Sequence, residues 1–171
     1  MRVTIVIIVI INLLFSANSF AQKWYSKKLP TKTYTNLKKA SRVKDSVQIL
    51  DLSYKRLKKF PKEILSFPNL VILDLSGNRI TKFPKDFGNL RKLQILILDH
   101  NDLRHVPKEI LLPSLIELRL SRNYVDTIPI TILALKDLKR LMLFYHNLSP
   151  EEIDLLKANL PNCVIMSYPM M

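Results

Sequence analysis

The chain has 171 residues and a formal net charge of +13 at pH 7, with one cysteine and two glycines. A single cysteine excludes an intrachain disulfide, and Gly77 and Gly88 alone cannot build a glycine-rich phosphate loop. The charge is uneven: residues 22–62 hold 13 Lys and Arg against two acids, whereas residues 63–171 hold 13 against 12. The basic character therefore belongs to the N-terminal part of the chain.

The first 21 residues are typical of a signal peptide. One arginine precedes an apolar run of 13 residues, Val3 to Phe15, and Ser19-Phe20-Ala21 places small residues at both recognition positions of a cleavage site. The run is short for a membrane span, which needs about 20 residues. We therefore predict a signal peptide over residues 1–21 and export of a chain that begins at Gln22. An uncleaved membrane anchor is the alternative.

Residues 22–46 form a basic segment that we expect to cap the first end of the fold. Tyr34 to Ala40 predicts a short helix lying over the first strand. The cations of the segment are Lys23, Lys27, Lys28, Lys32, Lys38, Lys39, Arg42 and Lys44. They are interpreted as a solvated arm, or alternatively as a surface for anionic envelope lipid or polysaccharide.

A phrase of about 23 residues is repeated along residues 47–148. Aligned copies begin at Val47, Leu70, Leu93, Leu115 and Leu138, at spacings of 23, 23, 22 and 23. The fourth and sixth positions are always leucine: Leu50 and Leu52, Leu73 and Leu75, Leu96 and Leu98, Leu118 and Leu120, Leu141 and Leu143. Leucines two apart face the same side of a strand, which one repeat cannot bury alone. Stacked copies can bury it, so the repeat predicts one parallel sheet.

Two further columns define the turns of the repeat. The ninth position carries Asn78, Asn101 and Asn123, with Lys55 and His146 in the terminal copies. We predict that these amides are buried and bonded to turn backbone that the sheet leaves unpaired. Prolines at Pro61, Pro84, Pro107 and Pro129 fix φ before a short helical return.

This pattern resembles the leucine-rich repeat family in its bacterial 23-residue form. The resemblance covers residues 47–148. It implies an α/β leucine-rich repeat solenoid, with a curved parallel sheet on the concave side, short helices or turns on the convex side, and caps at both ends. The fold itself serves many functions. Binding sites of repeat proteins usually lie on the concave face, so we interpret the chain as a protein-binding module that uses this sheet face.

Residues 149–171 are predicted to cap the second end of the array. Ser149 is a good helix N-cap, Pro150 suits the first helical position, and Glu152 completes a capping box. Ile153, Leu155, Leu156 and Leu160 give the helix an apolar side. Cys163 to Met166 is expected to form a last strand that closes the sheet edge.

No catalytic, cofactor or metal site is predicted. Cys163 lies among apolar residues, so we expect an inert thiol. His100, His105 and His146 have no Cys or carboxylate at a metal-ligand spacing. The chain is therefore interpreted as a non-enzymatic module, without cofactor or metal. Nucleic acid is not expected as a partner because export separates the protein from it.

A candidate binding surface is predicted from side chains that the repeat itself does not require. Positions between and after the strand leucines face away from the core. In the last two repeats they carry Arg119, Arg122, Arg140, Met142, Phe144 and Tyr145. Arginine and aromatic residues are enriched at protein-interface hot spots, which favours a protein-binding site here. Ordinary surface variation, with an aromatic cover for the last repeat, is the alternative.

Overall fold

A computed structural model of the chain describes residues 32–110 and 112–169. The predicted signal peptide, Lys23, Lys27 and Lys28 lie outside the described residues. The described residues from Tyr34 onward form one compact unit. None of the described helices is long and apolar enough to cross a membrane.

One sheet of seven strands organises this unit. The strands are β1 Thr33–Tyr34, β2 Ile49–Asp51, β3 Ile72–Asp74, β4 Ile95–Ile97, β5 Glu117–Arg119, β6 Arg140–His146 and β7 Val164–Pro169. They lie side by side in chain order, and the pairings from β2 to β7 are parallel. Leu50, Leu73, Leu96, Leu118 and Leu141 are register partners in turn. The repeat alignment and the predicted leucine-rich repeat solenoid are thus confirmed.

The core is formed by the apolar side chains that face inward at matching positions of successive repeats. The leucines at the fourth and sixth positions of every repeat are at most 3% exposed. Burial of each such side chain contributes about 1.5–3 kcal/mol. Phe60, Phe83 and Phe87 form a cluster on the return side, with ring centroids 4.9–5.4 Å apart. Each repeat therefore depends on its neighbours for burial, as a solenoid requires.

The return segments are short 3-10 helices that follow the proline column. They cover Lys62–Ser66, Lys85–Asn89 and Ile130–Ala134, and Pro61, Pro84 and Pro129 occupy the N-cap positions. After Pro107, the part of the return that is described contains only a turn at residues 108–109. That repeat is the one with 22 residues, and its Ile110 N–H still donates to the Pro107 carbonyl at 3.0 Å, as the matching N–H does in the other returns.

The predicted burial of the asparagine column is confirmed. Asn78, Asn101 and Asn123 are 6%, 3% and 1% exposed. Each Nδ2 donates to a carbonyl of the preceding repeat, at 2.9 Å in all three cases: Leu52, Leu75 and Leu98. Each Oδ1 accepts from a backbone N–H of that repeat, in Leu57, Ile80 and Leu103, at 2.9–3.1 Å. The amides therefore tie successive turns together.

The first cap differs in detail from the sequence prediction. Helix α1 covers only Leu37–Ser41, and Thr33–Tyr34 is a strand rather than part of the helix. The physical reason is the side chain of Asn36, whose Oδ1 accepts the Lys39 N–H at 3.0 Å and fixes the helix start.

The second cap follows the prediction closely. Helix α2 covers Pro150–Asn159, and Ser149 and Glu152 form the predicted capping box. Ile153, Leu156 and Leu160 are buried, but Leu155 is 52% exposed, so the apolar side is narrower than expected. The last strand, β7, begins one residue later than predicted and extends to Pro169.

Candidate functional site

The open sheet face is the side of the sheet opposite the leucine core. It is formed by the third, fifth and seventh positions of each repeat, and β7 continues these columns with Val164, Met166 and Tyr168. In the first three repeats the third column is Ile49, Ile72 and Ile95, each at most 7% exposed. Neighbouring side chains on this face shield one another from solvent. A residue can therefore face away from the core and still be buried.

Carboxylates occupy the first half of the open sheet face. Asp51 and Asp74 each accept the backbone N–H of the serine two residues later, at 2.9 and 2.8 Å. Asp99 accepts the Ser121 N–H of the next repeat at 2.7 Å. Burial raises the pKa of Asp74, and it raises the pKa of Asp99 to about 6 against the opposing effect of the Ser121 hydrogen bond. These acids are structural caps of the strand ends and form no acid–base pair.

Two of the predicted arginines are engaged by one buried carboxylate. Glu117, whose side chain is 1% exposed, lies 2.6 Å from Arg119 Nε and 2.6 Å from an Arg140 terminal nitrogen. Burial alone would raise the pKa of Glu117, but the two guanidinium groups outweigh it and hold that pKa below its usual value. The structure therefore brings Arg119 and Arg140 together, and Glu117 reduces the positive charge they present.

Met142 and Phe144 stand beside this triad on β6. Met142 is only 4% exposed and fills the face between the arginines and the last strand. Phe144 is half-buried and stacks on Tyr168 of β7, with centroids 5.8 Å apart and planes inclined by 20°. Phe144 thus lies under an aromatic side chain of the closing strand, and not under helix α2.

Arg122 and Tyr145 lie at a second place, along the edge where the strands end. Their guanidinium and ring stack, with the Arg122 Cζ 4.6 Å from the Tyr145 centroid. Together with His100 and Tyr124 they line a shallow depression of about 270 Å³, whose floor is formed by Asn101 and Asn123. Burial, followed by the charge of Arg122, lowers the pKa of His100, which favours its neutral form.

The eighth position of every repeat has a left-handed backbone, which orients this edge. Its φ lies between 55° and 59° in Tyr54, His100, Arg122 and Tyr145, and is 64° in Gly77. Such a φ is costly for residues other than glycine, and it turns the side chain out of the sheet plane. Gly77 is the glycine at this position, and glycine is the residue that favours a positive φ. One glycine among five residues was too weak a signal to predict a left-handed backbone at the eighth position of every repeat.

The six predicted site residues therefore fall into a buried and an accessible group. Arg119 and Met142 are buried, and Arg140 is held by Glu117. Arg122 and Tyr145 are exposed, and Phe144 is partly so. The sequence prediction of the site did not include His100, Tyr124 or Tyr168. Tyr168 could have been found by extending the repeat alignment into the last strand, where it is the register partner of Phe144. We name Arg122, Tyr124, Phe144, Tyr145 and Tyr168 the Arg–aromatic patch.

The thiol of Cys163 and the ring of His146 lie in largely buried surroundings. Burial raises the pKa of the Cys163 thiol to about 11, which keeps it protonated and unreactive at neutral pH. Within residues 32–110 and 112–169, no group of three or more His, Cys, Asp or Glu is placed to hold a metal ion. His146 is buried in the asparagine column, where its Nδ1 accepts the Leu148 N–H at 3.0 Å.

Comparison with known proteins gives one consistent set of relatives. Residues 45–103 match the sequence model of the family described as leucine rich repeat. A leucine-rich repeat protein of Leptospira interrogans is 35% identical with a TM-score of 0.69, over 81% of this chain and 33% of that protein. Internalin C2 of Listeria monocytogenes is 23% identical with a TM-score of 0.65, over 78% of this chain and 57% of its own.

A third similar structure comes from a complex. The leucine-rich repeat part of FLRT2, in an octameric complex with Latrophilin 3 and Unc5D, is 25% identical with a TM-score of 0.56. The match covers 67% of this chain and 37% of that one, so the chain spans about a third to somewhat over half the length of these structures. No curated protein sequence matches the chain.

Proposed function

Because the chain belongs to the leucine-rich repeat family, we propose that it is an exported, non-enzymatic module that binds a protein partner. Members of this family are generally protein-binding modules, and the FLRT2 repeat is seen in a complex with two other proteins. The apolar run of residues 3–15 and the small residues at 19 and 21 support export. Sequencing of the mature N-terminus in the native host tests export, and a chain that starts at Met1 in the cytoplasm would contradict it.

The observation that carries the binding site is the exposed pairing of Arg122 with Tyr145, next to the Phe144–Tyr168 stack. Neither pair is needed to build the repeat. The stacked aromatic rings offer rigid apolar area, and the guanidinium of Arg122 is not paired with a carboxylate among the described residues. A partner with an acidic surface that also carries apolar or aromatic groups fits this chemistry.

The test compares single substitutions that leave the fold intact. Arg122→Ala and Phe144→Ala should each weaken partner binding by more than about 1 kcal/mol, roughly fivefold. Arg91→Ala is the matched control, since Arg91 is exposed on the return side, away from the open sheet face. A partner purified on the wild-type protein would be titrated against each variant by calorimetry. Equal losses for Arg91→Ala and Arg122→Ala would remove the patch from consideration.

A second candidate function rests on the basic N-terminal part of the chain. Residues 22–62 carry a net charge of +11, and all ten of their described cations are exposed: Lys32, Lys38, Lys39, Arg42, Lys44, Lys55, Arg56, Lys58, Lys59 and Lys62. A field of one sign attracts anionic lipid or polysaccharide, and its attraction is screened by salt.

Vesicles that contain phosphatidylglycerol distinguish the two candidates. The double variant Lys58→Glu/Lys59→Glu should lose binding to them, whereas Lys82→Glu/Lys85→Glu, the same charge change one repeat later, should retain most of it. Binding should also fall steeply as salt rises, while a complex through the Arg–aromatic patch should weaken less. Vesicle binding that ignores salt and both double variants would exclude the polyanion function.

A further inference from the structure

Strand β7 ends the sheet with an edge that lacks the usual protection. Among the described strands it pairs only with β6. Edge strands are normally protected by charged side chains, because an open row of N–H and C=O groups recruits other strands. Here the ten residues from Leu160 to Pro169 contain no charged side chain. Pro169, at the end of the strand, is the one protective residue.

The open backbone groups of β7 can be assigned from the ladder. The Val164 N–H donates to the Lys139 carbonyl at 2.8 Å, toward β6. Groups alternate in direction along a strand, so the N–H and C=O of Ile165 and Ser167 point away from β6. Interior strands show the same alternation: the Ile72 N–H donates backward to Gln48, and the Leu75 N–H donates forward to Ile97. Ile165 and Ser167 thus present two donors and two acceptors.

We propose that β7 pairs with β7 of a second copy of this chain, antiparallel across a two-fold axis at Met166. In this register Ile165 of one copy lies opposite Ser167 of the other, and each pair exchanges two hydrogen bonds. Two such pairs satisfy all four open donors and all four open acceptors. The two sheets then become one continuous sheet.

The side chains support the same register. Val164 and Tyr168 are 51% and 69% exposed, and both lie on the open sheet face. The two-fold axis at Met166 places Val164 of one copy opposite Tyr168 of the other, so exposed apolar side chains cover each other. Tyr168 is already held by its stack on Phe144, which lowers the entropy lost on association.

The charge distribution favours a second copy at this end of the sheet. Residues 34–62, which precede β3, hold nine Lys and Arg against two acids, whereas residues 147–169 hold three acids and one lysine. Two copies joined through β7 therefore keep their basic regions apart, and the contacting strand itself is neutral. A self-complementary strand is what a two-fold interface requires.

Cross-linking tests the register directly. In a Cys163→Ser background, Met166→Cys should form an intermolecular disulfide under mild oxidation, because a central non-hydrogen-bonded pair has Cα atoms about 4.5 Å apart. Val164→Cys should not, because its counterpart lies four residues along the strand, about 13 Å away. Ile130→Cys, exposed on a return segment, measures random collision. Linkage through Val164→Cys instead of Met166→Cys, or Met166→Cys linkage no faster than Ile130→Cys, would overturn the proposal.

Association in solution provides the second measurement. Light scattering on the full chain should give the dimer mass, and Ser167→Pro and Val164→Glu should each weaken association at least tenfold. Proline at 167 removes an outward N–H and leaves the bonds to β6 in place. Ile130→Glu is the matched control and should remain dimeric, because Ile130 is exposed on a return segment and not on β7. A wild-type chain that stays monomeric up to roughly 100 µM would refute the dimer.

Discussion

Removal of one asparagine amide tests the turn-to-turn ladder most directly. In Asn101→Ala, four hydrogen bonds disappear: Nδ2 to the carbonyls of Leu75 at 2.9 Å, Leu98 at 3.1 Å and Asp99 at 3.4 Å, and the Ile80 N–H to Oδ1 at 2.9 Å. The four losses differ in energetic cost, because some of the bonded groups also have a second hydrogen-bond partner that the substitution leaves in place.

All three carbonyls keep another donor: the Asp99 carbonyl also accepts from the Gly77 N–H at 2.9 Å. The Leu75 carbonyl also accepts from Asn78 at 2.8 Å, and the Leu98 carbonyl also accepts from Asn123 at 2.9 Å. The buried N–H of Ile80 loses its acceptor. One unsatisfied buried amide costs about 1–3 kcal/mol, so Asn101→Ala should lower the free energy of unfolding by that amount and not by the sum of four bonds.

Urea denaturation at fixed protein concentration measures this change. The midpoint should fall while the slope m stays constant, since the surface exposed on unfolding is nearly unchanged. Asn162→Ala is the control; Asn162 is exposed beyond helix α2, and its loss should change stability by less than about 0.5 kcal/mol. Equal stability of Asn101→Ala and wild type would refute the role assigned to the column, and a loss above about 5 kcal/mol would refute the sharing of acceptors.

Three further substitutions test other parts of the structure. Glu117→Ala leaves two largely buried guanidinium groups without their carboxylate and should cost about 3 kcal/mol in urea denaturation; no measurable loss would contradict the triad. Asp99 has a pKa raised to about 6, so the folded state binds its proton more tightly and wild-type stability should fall as pH rises from about 4 to 6. Asp99→Asn should remove this fall, worth about 1–2 kcal/mol after allowance for partial exposure, and an unchanged pH profile would count against it. Gly77→Ala should cost about 1 kcal/mol in thermal melting, because φ is 64° and the new Cβ would meet the Tyr54 ring; an unchanged melting temperature would show that the site tolerates alanine.

Much of the fold was predictable because every repeat carries the same pattern of apolar residues at nearly the same spacing. Leu73 and Leu75 alone are compatible with any half-buried strand, but five copies at nearly constant spacing leave one architecture. The capping box of Ser149 and Glu152 was equally readable, since the interaction is local in sequence. The start of helix α1 was predicted less accurately. The sequence prediction began the helix at Tyr34, whereas Asn36 is its N-cap.

The candidate site was predictable only as a set of residue types. Arg119, Arg140 and Arg122 were equally good candidates by residue type, yet Glu117 pairs with the first two and leaves the third stacked on Tyr145. That difference depends on two ion pairs of Glu117, each 2.6 Å long: one with Arg119 on the same strand and one with Arg140 in the next repeat. The position of a residue in the repeat predicts which side of the sheet its side chain faces. It does not predict the exposed fraction of that side chain, because exposure depends on the side chains of the neighbouring strands.

The sequence by itself determined the repeat register, the leucine core, the asparagine ladder and the cap at residues 149–159, since all of these follow from periodicity and local hydrogen bonding. Only the tertiary structure decided which side chains of the open sheet face are accessible, that the eighth position is left-handed in every repeat, and that β7 ends as an uncharged edge with Tyr168 over Phe144. Three of the contacts that decide accessibility join residues 23 or 24 positions apart: Glu117 with Arg140, Arg122 with Tyr145, and Phe144 with Tyr168. There, packing and electrostatic pairing outweigh any preference of the single residue.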